Sequence, residues 1–129
     1  MTAHRRGPAV LALASGLLAI AVLWPGPAAA QNCDSPATQA EVAECANLRL
    51  RAAQRELNDV YGALLDSEDK DFAAAVRKAQ EAWVLWRDAE SALAGRAAGS
   101  PAEAVVVRRK LEAQMTEDRV KDLRSYSGY

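Results

Sequence analysis

Residues 38–65 read TQAEVAECANLRLRAAQRELNDVYGALL. Thr38 suits the cap of a helix's first turn, and Glu41, three residues on, can reach back to it, the reciprocal pattern of a capping box. From there apolar residues recur at Val42, Ala46, Leu50, Ala53, Leu57, Val60 and Leu64 in steps of three and four. That spacing lays them along one face of an α-helix and does not fit the alternation of a half-buried strand. An apolar stripe this long is stable only against other elements, so the stretch commits the chain to helix-on-helix packing. Gly62 breaks the run at a cost of ~1 kcal/mol relative to Ala, which predicts a close helix contact beside Tyr61.

Downstream, Asp66-Ser67-Glu68-Asp69-Lys70-Asp71 holds no apolar residue and several cap formers, the composition of a turn. A second stripe follows at Phe72, Val76, Ala79, Trp83, Trp86 and Leu93, with Glu90 the one polar residue at the same spacing, and Gly95 to Gly99 stop it. Ser100-Pro101-Ala102-Glu103 opens a third helix, with Ser100 as cap, Pro101 where no amide proton is missed, and Glu103 closing a second capping box. Its buried face is predicted from Ala104, Val107, Leu111, Met115, Val120 and Leu123. The run Val105-Val106-Val107 is β-prone but lies inside this capped helical pattern. The predicted helices cover about residues 38–65, 71–94 and 101–124, and short turns between long helices predict an all-α fold, a small antiparallel three-helix bundle.

Upstream, a basic start with Arg5 and Arg6, an apolar run from Ala9 to Trp24 and then PGPAAA have the three-part layout of a secretory signal peptide, with cleavage expected after Ala30. The apolar run is shorter than the ~20 residues that span a bilayer. The paired arginines leave the twin-arginine route as a weaker alternative to the general one. Cys33 follows Gln31 and Asn32, not the small residue a lipidated cysteine requires, so no stable membrane anchor is expected after cleavage. Residues 31–129 then form one domain. Losing Arg5 and Arg6 takes the net charge from -1 to -3, which gives no electrostatic case for nucleic acid.

The one histidine, His4, goes with the signal, which leaves no imidazole for a catalytic triad or an ordinary zinc site. No catalytic, cofactor or metal residue is assigned. Two carboxylates could in principle serve glycoside hydrolysis, but that chemistry needs a cleft that a slim bundle rarely forms. The Asp66 to Asp71 cluster lacks the ligand spacing and internal glycine of an EF-hand loop. Cys33 and Cys45 are an even pair in an exported chain and read as a disulfide, with two free thiols as the alternative. Such a bridge would fold the N-terminal segment back along the first helix. Trp83 and Trp86 read first as core residues, with Gln80, Asn58 or Thr116 as partners for a buried indole N–H. Arg87 and Asp88, adjacent on a helix, are expected to point apart, Arg87 towards an acid on another helix.

The order Cys33, Cys45, Leu57-Asn58-x-x-Tyr61, Gln80-x-x-Trp83-x-x-Trp86-Arg87-Asp88, Gly99-Ser100 and Thr116-x-x-Arg119-x-x-x-Leu123 resembles the LprI-type lysozyme inhibitor family, from Cys33 to about Leu123. No single motif is diagnostic; the order and spacing together carry the resemblance. It implies a small exported helical domain whose named member inhibits lysozyme. The chain departs from the family pattern where Ser91 and Leu111 stand at the places of a second cysteine pair, so these two residues are expected to face each other between helices two and three.

The expected function is therefore that of an exported, non-enzymatic binding protein, periplasmic or secreted from a bacterium. Its partner would be a lysozyme or another envelope protein. The acids Asp66, Glu68, Asp69 and Asp71 are the candidate surface for a cationic lysozyme. An envelope structural or protein-interaction module without effect on lysozyme is the alternative, and a pull-down partner from the same compartment would mark it.

Overall fold

The computed structural model describes residues 32–127, and the signal peptide expected over residues 1–30 lies outside them. Three helices follow one another: α1 (Gln39–Leu65), α2 (Lys70–Arg96) and α3 (Pro101–Arg124), with no strand among the described residues. Each start is fixed by local chemistry. Thr38 Oγ1 accepts the Glu41 amide at 3.2 Å, and the Glu41 carboxylate takes the amides of Thr38 and Ala37 at 2.9 and 2.6 Å, a complete capping box. These backbone donors hold the Glu41 carboxyl below its ordinary pKa. Asp69 caps α2 by accepting the amides of Asp71 and Phe72, both at 3.0 Å. Ser100 caps α3 through the Glu103 amide, but Glu103 reaches past the cap to the Gly99 amide at 2.9 Å, so the second box is displaced by one residue.

Side-chain bonds fix the directions. Arg49 pairs with Glu117 and Arg124 with Glu56, the same sequence offset of 68 in each case, so α1 and α3 run parallel. Gln80 meets Arg119, and Arg108 crosses Gly95, so α2 runs antiparallel to α3. The result is the up-down-up bundle, in which α3 is the central element: it packs along α1 and α2, whereas α1 and α2 meet only over a short stretch. Leu57, Leu64, Val76, Trp83, Met115, Val120 and Leu123 form the core, with Tyr61, Phe72 and Leu111 packed against it. Serving two partners, α3 buries residues on two sides, and Val106, Glu112, Ala113 and Thr116 join the expected Met115, Val120 and Leu123. Val107 is only half-buried and Val105 is exposed.

Helix two departs most from its sequence pattern. Its buried residues are Ala73, Val76, Gln80, Trp83 and Ser91, whereas Ala79, Trp86 and Leu93 face out. Gln80 and Ser91 can be buried because each side chain has a partner, Arg119 for Gln80 and the Asp88 carbonyl for Ser91. With those polar residues inward, the apolar residues of the next strip turn outward. The close helix contact expected at Gly62 is absent, since a Cβ there would meet nothing within 4 Å. It occurs instead at Gly95, inside α2, where a Cβ would lie 2.7 Å from Cγ and Cδ of Arg108.

Candidate partner-binding surfaces

The motif residues divide between a structural cluster and the surface. Leu57, Trp83 and Leu123 share the core with Tyr61 against them, and Thr116 is wholly buried, its Oγ1 donating to the Glu112 carbonyl at 2.6 Å. Around Trp83 the side chains form a layered set. The guanidinium carbon of Arg87 sits 5.1 Å from the indole centroid and that of Arg119 5.9 Å from it, within cation–π range. Arg119 Nε donates to Gln80 Oε1 at 3.1 Å. None of Gln80, Asn58 or Thr116 accepts an indole proton; Asn58 is exposed, and no polar side-chain atom is buried without a partner among the described residues.

Arg87 and Asp88 do pair, contrary to the expectation from their adjacent positions. Arg87 Nε and Nη2 both donate to Asp88 Oδ1, at 2.9 and 2.7 Å. Adjacent side chains leave a helix about 100° apart, but the long arginine side chain carries its guanidinium over the Trp83 ring, where it also reaches the Asp88 carboxylate. The pair orders the rim of the tryptophan.

Outside this cluster, Trp86 is 54% exposed, Leu85 74% and Leu93 63%. Leu85 and Trp86 are adjacent in the helix, and Leu93 lies two turns beyond Trp86 on its side, with exposed Ala89 between them and exposed Ala82 one turn before Trp86. This is an apolar face of α2 that neither α1 nor α3 covers. The sequence stripe contained Trp86 and Leu93 but assigned them to the core. Leu85 went unnoticed because it lies off that stripe.

The acidic turn is exposed at Asp66, Glu68, Asp69 and Asp71. Asp66 is the C-cap residue of α1 and Asp69 the N-cap of α2, so two of the four sit in helix termination. Glu68 and Asp71 make no ion pair among the described residues. At the other end of α1, Cys33 and Cys45 are joined, with their Cα atoms 5.5 Å apart. The bridge holds Cys33 and Pro36 beside Val42, Ala46, Arg49 and Lys110 around a shallow hollow. Arg49 continues into a fork on Glu117, with Nε and Nη2 each 2.6 Å from a carboxylate oxygen, and that hydrogen bonding lowers the pKa of Glu117 and raises that of Arg49. Among the described residues, no group of three or more His, Cys, Asp or Glu is placed to hold a metal ion.

A family model described as "Lysozyme inhibitor LprI" matches residues 30–123. An uncharacterized protein of Rhizobium meliloti (strain 1021) is 31% identical over 129 residues, covering 86% of this chain and 92% of the relative. No solved structure matches the chain.

Proposed function

The chain belongs to the LprI lysozyme inhibitor family, and from that premise we propose that it is an exported, non-enzymatic binding protein that occupies a lysozyme and so protects the cell wall. Residues 1–30 would direct export and be removed. The Cys33–Cys45 disulfide suits an oxidising compartment, the periplasm or the exterior. No described helix is long and apolar enough to cross a membrane.

The observation that carries the contact surface is Trp86, 54% exposed on a helix face with exposed Ala82, Leu85, Ala89 and Leu93 around it and Glu90 at its edge. A rigid aromatic standing above small residues can enter a cleft, and tryptophan is the residue type most enriched among interface hot spots. Inhibition of this kind needs only occlusion of the substrate groove. Glu68 and Asp71, with Asp66 and Asp69 beside them, would steer a cationic lysozyme without entering the contact.

Lysis of lysozyme-treated bacteria, followed by turbidity with the protein in excess, tests the reading. The native protein should slow lysis. Trp86→Ala should weaken the effect about tenfold or more, the scale of a hot-spot loss, while thermal unfolding stays close to native because the ring is half in water. Unslowed lysis by the native protein overturns the lysozyme reading and leaves an envelope interaction module, identified by its own pull-down partner.

A further inference from the structure

We propose that the groove between the first half of α2 and the end of α3 binds a small amphiphilic carboxylate, its head on Arg119 and its apolar body along Phe72, Val76, Ala79 and Leu123 towards Tyr126. The groove has a volume of about 230 Å³, and Arg119 is the one charged residue that lines it. Its space comes from the sequence: α2 presents Ala75 and Ala79 where a larger side chain would close the gap. From Arg119 to Tyr126 the wall runs ~10 Å at 1.5 Å per residue.

Arg119 itself points to an anion. Two arginines among the described residues are half-buried, Arg87 and Arg119, and the other arginines stand in water. Arg87 has its carboxylate in Asp88. Arg119 has none within 4 Å among the described residues; Nε is committed to Gln80, and neither Nη donates to an acceptor among those residues. Gln80 on one side and the Trp83 face on the other therefore hold the guanidinium in place with its two terminal nitrogens available. That end of the fork matches the two oxygens of a carboxylate. A cation at the head of an otherwise apolar trough selects a ligand with one anionic end and a hydrocarbon remainder. The site does not rest on the lysozyme reading, because it uses neither Trp86 nor the acidic turn.

The test is a titration of the ¹⁵N-labelled full chain with sodium octanoate, octanol and octylammonium, read by amide and arginine Nε–H shifts. Octanoate should give saturable shifts at Ala79, Arg119 and Leu123, at least tenfold tighter than octanol or octylammonium. Arg119→Gln should weaken octanoate tenfold or more and bring it level with octanol. Ala79→Phe, a change at an exposed lip that leaves the Arg119–Gln80 bond alone, should block octanoate as well. Equal affinity for octanoate and octanol, shifts centred elsewhere, or octanoate binding that survives both variants overturns the proposal. So does slowed tumbling of the unliganded chain with the same residues shifted on dilution, which would make a second copy the occupant.

Discussion

Trp83 and Trp86 sit three residues apart and do opposite jobs. Trp83 is 9% exposed and joins the core while two guanidiniums lie over its ring, whereas Trp86 contributes little to holding the fold. Charge also acts residue by residue, and the Arg49–Glu117 fork is the clearest case, since it joins α1 to α3 through two hydrogen bonds with Gln114 as an added acceptor. Hydrogen bonds from Arg49 lower the Glu117 pKa in the folded chain. The folded state therefore binds that proton less readily than the unfolded one, and the pair stabilises above the unfolded value of ~4.3. The contribution is lost as pH falls through the lower folded value. Both side chains are about a third or more exposed, which limits the effect to roughly 0.5–1 kcal/mol. Glu117→Gln should lower stability by that amount in urea unfolding at pH 7, and the difference from native should shrink as pH is lowered through the acid range in which Glu117 takes up its proton. A difference independent of pH would mean that packing, not charge, is what the substitution removes.

At the scale of the element, the three helices were legible because their signals are local. Thr38 with Glu41, Asp69, and Ser100 with Pro101 each satisfy amides within a few residues of themselves. The stripe of α1 was legible too, since Ala46, Leu50, Ala53, Leu57 and Leu64 all lie inside. The stripe of α2 was not, because its orientation depends on Arg119, a residue of another helix that makes Gln80 buriable. Glycine shows the same division. The sequence marks Gly62 and Gly95 alike as helix breakers, yet a Cβ has open space at the first and meets Arg108 at the second. Gly62→Ala should raise stability by about 0.5–1 kcal/mol through backbone entropy alone. Gly95→Ala should bring no gain, because the Arg108 stem must move from its path across α2. Matched urea melts of the two variants decide it, and an equal gain in both would show that the Arg108 contact carries no energy.

The whole molecule is held unevenly. Helix α3 contacts both others, the Cys33–Cys45 bridge ties the N-terminal segment to α1, and α2 relies on α3 for most of its cover. Closing a loop this short contributes roughly 3 kcal/mol in the chain-entropy account, a useful share of a small domain's stability. No such bridge reaches the far half of α2. Ser91 is wholly buried there, and the antiparallel register set by Gly95 with Arg108 and Gln80 with Arg119 brings it towards Leu111. The double substitution Ser91→Cys and Leu111→Cys should therefore form a disulfide under oxidising conditions and raise the urea midpoint. Failure to cross-link, by thiol titration of the unfolded chain, would show that α2 and α3 do not meet in that register.

The sequence by itself determined the number, ends and antiparallel order of the helices and the pairing of Cys33 with Cys45, because caps, periodicity and short turns act over a few residues. It also carried the order of motifs by which the family is recognised. Only the tertiary structure decided which side of α2 is buried, that Arg87 closes on Asp88, that Trp86 stands in solvent, and that Arg119 heads an apolar groove. Each of these depends on what a neighbouring helix offers: a polar residue goes inward when a partner meets it there, and an apolar one stays outside when no helix arrives to cover it.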